Sequence, residues 1–413
     1  MYTSNKTNSK IILHIDFNSY FASVEQQANP FLRGKAIAVG GKGRGSQLER
    51  TVVTTASREA KDVGVKTAMS SVEAKRLVPR LKIVPGDPRK YSEITKRFLH
   101  ILTKHADAVE QFSTDEAFAD ITYTAGDYFG ATMIAQMIRQ EIQETCGDYC
   151  TVSIGVAPNK LIAKLASESH KPNGLTVVTP SSLLNFTASQ PLAAFCGIGP
   201  RIEERLANMG VTSILALRTI PLEELRRSFK TYGDWLYAAA RGIGDDHIND
   251  QEEDPKSIGH SYTFPDDLTE TVEIQTNLLA LCDKVAWRMR RGGFVARQVG
   301  VHIRYEGLHG RGMQKQLQEP LADGLELYQV AWRLLERMRN PEYGIRLLGI
   351  SANDLAKAPI PDCLFAKSNN VKKVLKALDT LQTRYGTGVW TRAATMHTKF
   401  YERTSGWHYD HER

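Results

Sequence analysis

Short apolar runs separated by amphipathic stretches dominate the first 170 residues. Ile11-Ile12-Leu13-His14-Ile15 is a β-branched, apolar segment that predicts a strand ending at Asp16-Phe17. A second such segment, Phe112-Ser113-Thr114-Asp115-Glu116-Ala117-Phe118, predicts a hairpin carrying an acidic pair, and Cys150 to Val156 predicts a third strand. Helical stretches fall between them, around Pro88 to Lys104 and Tyr128 to Cys146. Beyond about residue 170 the pattern is mostly helical, with no repeat or low-complexity tract.

A polar, charged segment, Gly244 to Pro255, has too few apolar residues to fold alone and predicts a linker. After it the alternation resumes. Lys256 to Phe264, Ala296 to Tyr305 and Ile345 to Ala352 predict strands, and Glu270–Arg291 and Leu325–Arg339 predict helices, together a βαββαβ-type sheet. Val371 to Tyr385 has helical spacing inside a basic tail.

Composition narrows the class. With 413 residues the chain is long enough for two to four domains, and 53 Lys+Arg against 46 Asp+Glu give a charge of +7, which favours a polyanionic partner. The five cysteines, Cys146, Cys150, Cys196, Cys282 and Cys363, are scattered and odd in number, so neither a disulfide frame nor a zinc site is expected. The polar N-terminus leads into a run too short for a signal sequence or a membrane span, and a cytoplasmic protein is expected.

Asp16 and the pair Asp115-Glu116 are the most informative chemistry. Each adjoins a predicted strand, which would deliver a carboxylate to a strand end facing an open edge. Three converging carboxylates repel unless cations intervene, and two Mg²⁺ ions would relieve that repulsion while preparing a site for in-line phosphoryl transfer.

Four blocks give this set its context. Asp16 to Glu25 comes first, then Arg58-Glu59-Ala60-Lys61 before Gly64-Val65-Lys66, then Ser113 to Phe118, then Asn159 to Ser167 with Lys171-Pro172-Asn173-Gly174. In this order and with these gaps, the chain resembles the Y-family translesion DNA polymerases, of the bacterial DinB/UmuC-like branch, from about residue 10 to about residue 355. The resemblance implies an α+β fold, a right-hand polymerase with a ferredoxin-like palm (1–19 and 86–171) whose helices lie on one face. Small fingers (20–85), a helix-hairpin-helix thumb (172–243), a linker (244–256), a βαββαβ-type little finger (257–353) and a basic tail (354–413) would complete it. It further implies a monomeric enzyme that takes primer-template DNA and dNTPs and copies past damaged bases without proofreading. Thr67-Ala68-Met69-Ser70 carries little bulk in the fingers, as a roomy active site would need.

On the same resemblance, Asp16, Asp115 and Glu116 would be catalytic and hold two Mg²⁺ ions, with the Phe17 carbonyl completing one shell. Arg58, Lys61 and Lys160 would bind the triphosphate with Thr55 as a hydroxyl donor, although many relatives carry Tyr and Arg where this chain has Arg58 and Lys61. Phe21 would be the steric gate under the sugar, with Tyr20 beside it as the neighbour a one-residue slip would choose. Gly197, Gly199 and Arg201, in Cys196-Gly197-Ile198-Gly199-Pro200-Arg201, would present helix N-terminal amides to a DNA phosphate, the two glycines making the turn tight. Glu203 departs from the small residue usual in this hairpin. Arg288, Arg290, Arg291 and Arg297 would neutralise phosphates, and Leu364-Phe365 resembles a degenerate clamp-binding peptide that would dock on the bacterial sliding clamp. A nucleotidyl cyclase and an idle DNA-binding subunit are the rival readings; the thumb hairpin argues against the first and the intact carboxylates against the second.

Overall fold

The computed structural model describes residues 9–41, 51–251, 253–307, 309–357, 366–386, 388–398 and 400, without the side chains of 366–369, 371 and 372. The chain divides into two compact units, the described residues up to 251 and those from 253 onward.

The first unit contains β1 (Ile12–Phe17), β2 (Ile37–Gly40), β3 (Thr55–Ala56), β4 (Lys82–Pro85), β5 (Ala108–Gln111), β6 (Glu116–Asp120), β7 (Val152–Ala157) and β8 (Leu175–Val177). Five of these form one sheet in the order β5-β6-β1-β7-β8, antiparallel except for the last pair. Strand alternation gives β1 two working faces. Leu13, Ile15 and Phe17 point into the main core with Ala117 and Ala119 of β6, whereas Ile12 and Phe118 belong to a second apolar cluster on the other side.

Two long helices cover the first face. Pro88–His105 starts on Pro88, with the Asp87 carboxylate capping the amides of Arg89 and Lys90 at 3.1 and 3.4 Å. Its Tyr91, Phe98, Ile101 and Leu102 are buried at helical spacing. Tyr128–Cys146 is capped by Asp127 and ends at Gly147, whose φ of 97° suits glycine. The opposite face of the sheet is covered by the helix Lys160–Ser169, capped by Asn159 on the amide of Ile162 at 3.0 Å. Helices on one face only were expected, and this third helix is the difference. Gly155 permits it, since a Cβ there would stand 2.0 Å from the Ala163 carbonyl oxygen.

A small sheet in the order β3-β2-β4 stands beside the helix Tyr20–Ala28, whose Tyr20, Phe21, Ala22 and Val24 are buried in the main core. The helical stretch from Leu183 to Ala240 forms its own cluster around Leu206, Leu217, Leu225 and Leu236. Half of the expected linker is not a linker: Ile248 is buried among Ile12, Phe118 and Ile162, and the amides of Lys160 and Asn249 bond to the Asp245 carbonyl and the Glu110 carboxylate at 2.9 and 2.8 Å. One buried apolar side chain and these hydrogen bonds dock the strap.

The second unit is a four-stranded antiparallel sheet, β9 (Ser257–Leu268), β10 (Phe294–Tyr305), β11 (Gly310–Leu321) and β12 (Ile345–Lys357), ordered β11-β10-β12-β9. Helices Thr271–Arg291 and Gly324–Met338 bury Leu278, Val285, Leu327 and Leu335 against it. The sequence reading assigned no residues to this fourth strand of the βαββαβ pattern, β11, because they are nearly all exposed and rich in Gln and Gly, leaving no apolar alternation to detect. The tail helix Ala366–Tyr385 joins this unit through the Arg290–Asp379 pair, bonded at 2.7 and 2.8 Å.

Candidate active site

The antiparallel register of β1 and β6 sets Asp16 directly opposite Glu116, with Ser153 of β7 on its other side. Asp16 therefore lies near the end of a central strand, where it lines an open cleft. Asp115 precedes β6 in the hairpin loop, where its carbonyl accepts the Phe17 amide at 3.0 Å and its carboxylate accepts the Ser113 hydroxyl at 2.7 Å. Asp16 and Glu116 thus meet on the face covered by Lys160–Ser169, and Asp115 stands close enough for its charge to be felt by Asp16.

That helix and the segment after it supply the counter-charge. Lys171 reaches Asp16 at 2.9 Å, Lys164 pairs with Glu116, and the buried His14 places Nε2 3.0 Å from Glu116. Burial pushes the Asp16 carboxyl up to about 7, against the pull of Lys171. Burial likewise raises Asp115. For Glu116 burial also acts upward, but the His14 and Lys164 hydrogen bonds outweigh it and bring the group down to about 2. Burial lowers the His14 pKa, against the pull of its Glu116 hydrogen bond.

An open cleft of about 800 Å³ adjoins this cluster, lined by Asp16 and Phe17 of β1, Asp115 of the hairpin loop, Thr55 of the small sheet and Arg58 and Lys61 of the short helix that follows it, with Lys171 at its side. Lys61 feels desolvation first and the Lys171 charge next, both lowering its pKa. Phe21 lines the cleft with its ring against Tyr91 at 4.4 Å. Tyr20 also reaches the cleft wall, but its hydroxyl bonds the Tyr91 carbonyl at 2.7 Å and Thr95 at 2.8 Å, which commits it to the core.

Other expected residues fall elsewhere. Lys160 is not a cleft residue: Glu110 and Asp245 hold its ammonium at 3.0 and 2.8 Å, so it fastens the strap to the sheet. Lys171 stands where Lys160 was expected. The turn before Pro200–Asn208 needs glycine only at Gly197, with φ of 115° and Trp235 2.6 Å from a would-be Cβ; Gly199 has an ordinary φ and open space. Arg201 is exposed on the first turn of that helix. In the second unit Arg291 and Arg297 are exposed, but Arg290 is taken by Asp379, and Arg288 is buried with its guanidinium on the Gly259 carbonyl at 3.0 Å. Those two leave the expected phosphate-binding set because their hydrogen bonds serve the unit itself. Leu364 and Phe365 lie outside the described residues.

Four residues of the site escaped the sequence reading. Lys164 and Ser167 share one helix face at a spacing of three, and His14 shares the Asp16 face of β1 by period two, so both signals were present. Lys171 was visible only as part of a matching block.

The carboxylates are packed closely enough that fixed protein cations balance them, and their oxygens suit hard divalent ions. Among the described residues, a ligand atom each from His14, Asp16 and Glu116 lies within 4.8 Å of the others.

Comparisons with known proteins agree with the geometry. Residues 15–168 match the impB/mucB/samB family and residues 255–361 match the C-terminal domain of that family. The chain is 34% identical over 392 residues to DNA polymerase IV of Desulfatibacillum aliphaticivorans, covering 94% of this chain and 97% of that one. It is 35% identical to DNA polymerase IV of Streptococcus pneumoniae over 343 residues, 83% of this chain and 96% of the relative. Among solved structures, the Y-family DNA polymerase chimera Dbh-Dpo4(243-245)-Dbh superposes with a TM-score of 0.76 at 27% identity, covering 84% of this chain and 100% of the chimera. An insertion ternary complex of Dbh DNA polymerase superposes with 0.58 at 27% identity, covering 83% and 98%. With family models matched in both units and relatives matched over most of their length, the chain belongs to the impB/mucB/samB family and is a DinB-like, Y-family DNA polymerase.

Proposed function

We propose that the cleft performs template-directed nucleotidyl transfer with two Mg²⁺ ions, copies past damaged bases and does not proofread. The observation that carries this is the Asp16–Glu116 register pair, with Asp16 and Asp115 lining a cleft whose other wall bears Arg58 and Lys61. Asp16, Asp115, Glu116 and the Phe17 carbonyl would hold the ions, which when bound lower the pKa of the primer 3′-hydroxyl and offset charge on the leaving pyrophosphate. The protein's own share is positioning and charge, because phosphoryl transfer asks little covalent chemistry of the enzyme. Lys171, Lys61 and Arg58 are placed to hold the triphosphate of a dNTP, with Thr55 as a hydroxyl donor. Phe21 closes the space below the sugar.

DNA would be gripped through its backbone by the Gly197–Arg201 turn and by Arg291 and Arg297, contacts that position a duplex without reading its sequence. The ternary complex among the related structures supports DNA and nucleotide as the partners. For Leu364-Phe365 we propose a tether to the bacterial sliding clamp, with the enzyme itself a monomer. Primer extension with Mg²⁺ and dNTPs on undamaged and lesion-bearing templates tests the central reading, and its absence on every template would defeat it. Pull-down with purified clamp, comparing wild type with a Leu364→Ala, Phe365→Ala double variant, tests the tether.

A further inference from the structure

His14 has no role in the reaction outlined above, yet it occupies the most constrained position near the carboxylates. It is fully buried, 0% exposed, and its ring packs 4.7 Å from that of Phe118. Nε2 lies 3.0 Å from Glu116 Oε2 and Nδ1 lies 2.7 Å from Ser167 Oγ. Lys164 pairs with the same Oε2 atom. Among the described residues no hydrogen bond reaches Oε1 of Glu116.

We infer that His14 is a positioning residue: oriented by Ser167, it donates to Oε2 of Glu116 and leaves Oε1 to a divalent cation shared with Asp16. The inference rests on the nucleotidyl-transfer reading of the cleft. A carboxylate only accepts, so the tautomer with its proton on Nε2 donates to Glu116 and leaves Nδ1 to accept from Ser167. The Ser167 hydroxyl has one proton and two acceptors in reach, Nδ1 at 2.7 Å and the Lys164 carbonyl at 2.8 Å; the tautomer that serves Glu116 places it on Nδ1. Both ring nitrogens are therefore engaged by the protein. This makes His14 a support of a ligand and not a ligand, in keeping with the oxygen preference of Mg²⁺.

The full chain, without DNA, is titrated with Mn²⁺ and the free ion is followed by electron paramagnetic resonance. His14→Phe keeps the ring and removes the donor, and should weaken Mn²⁺ binding about 10- to 100-fold, the usual cost of losing such a support. In primer extension that variant should need more Mg²⁺ for half-maximal rate, approach the wild-type rate at saturating Mg²⁺, and keep the KM for dNTP. His14→Gln, which can restore a donor near Oε2, should recover part of the affinity. Ser167→Ala, which leaves the ring in place, should weaken binding in the same direction and decides the matter if His14→Phe does not fold. Wild-type Mn²⁺ affinity in both His14→Phe and Ser167→Ala overturns the inference while leaving the function intact. A wild type that binds no Mn²⁺ and extends no primer overturns the function and the inference together.

Discussion

Asp16 and Glu116 are direct cross-strand partners on β1 and β6, yet their carboxyls are driven in opposite directions, Asp16 up to about 7 and Glu116 down to about 2. Burial dominates at Asp16, where one Lys171 contact does not compensate it; at Glu116 two donors, His14 and Lys164, overcome the same penalty. Without cations, one member of the pair is near neutral and the other firmly charged.

This split sets a pH dependence. A buried Asp whose folded pKa is raised favours folding in its protonated form, so its contribution to stability is full below the ordinary carboxyl range and is lost as pH rises toward about 7. Divalent cations require the ionised form. Mn²⁺ or Mg²⁺ binding to the DNA-free protein should therefore weaken steadily below pH 7, with proton release on binding, measurable by calorimetry in buffers of different ionisation enthalpy. Affinity that is flat from pH 5 to 8 would show that no ligand carboxyl titrates in that range, and would remove the split between Asp16 and Glu116.

Asp115→Asn keeps the shape of the side chain and removes one charge from the cluster. Primer extension should fall by orders of magnitude while duplex binding persists. Gel-shift and extension assays on the same preparation separate the two effects.

Phe21 and Tyr20 should part company on mutation. Phe21→Ala opens the cleft below the sugar, and ribonucleotide incorporation should rise relative to deoxyribonucleotide. Tyr20→Phe removes a buried hydroxyl bonded to the Tyr91 carbonyl and Thr95, and should cost about 1–2 kcal/mol of stability with sugar selection unchanged. Denaturant unfolding and competition incorporation read the two outcomes.

Lys171→Ala and Lys160→Ala distinguish cleft from strap. The first removes a cation 2.9 Å from Asp16 and should raise the KM for dNTP. The second leaves Glu110 and Asp245 without their shared partner. It should speed hydrogen exchange across 244–250 while the KM holds. A Lys160→Ala variant with a large KM defect and unchanged exchange would reverse the assignment.

Arg290→Leu should loosen the tail helix from the second unit, because Asp379 loses a bidentate partner. Limited proteolysis should then cut within 366–386 faster than in wild type, with little change in the salt dependence of DNA binding. A reduced salt slope would instead mark Arg290 as a phosphate contact.

The sequence by itself determined the elements whose apolar spacing is strong, such as Tyr128–Cys146, where the expected and observed limits coincide. It also determined the three carboxylates, because acidic residues next to β-branched runs leave a local signal. Tertiary structure alone decided what those carboxylates touch. Pairing of β1 with β6 brings together residues a hundred positions apart, and packing of Lys160–Ser169 on the far face decides that Lys164 and Lys171 reach the cluster while Lys160 turns to Glu110 and Asp245. Neither outcome has a local cause: all three lysines are equally plausible phosphate ligands in the chain, and only the register and the seat of one helix tell them apart. The same holds for Arg290, whose charge was legible and whose partner, 89 positions later, was not.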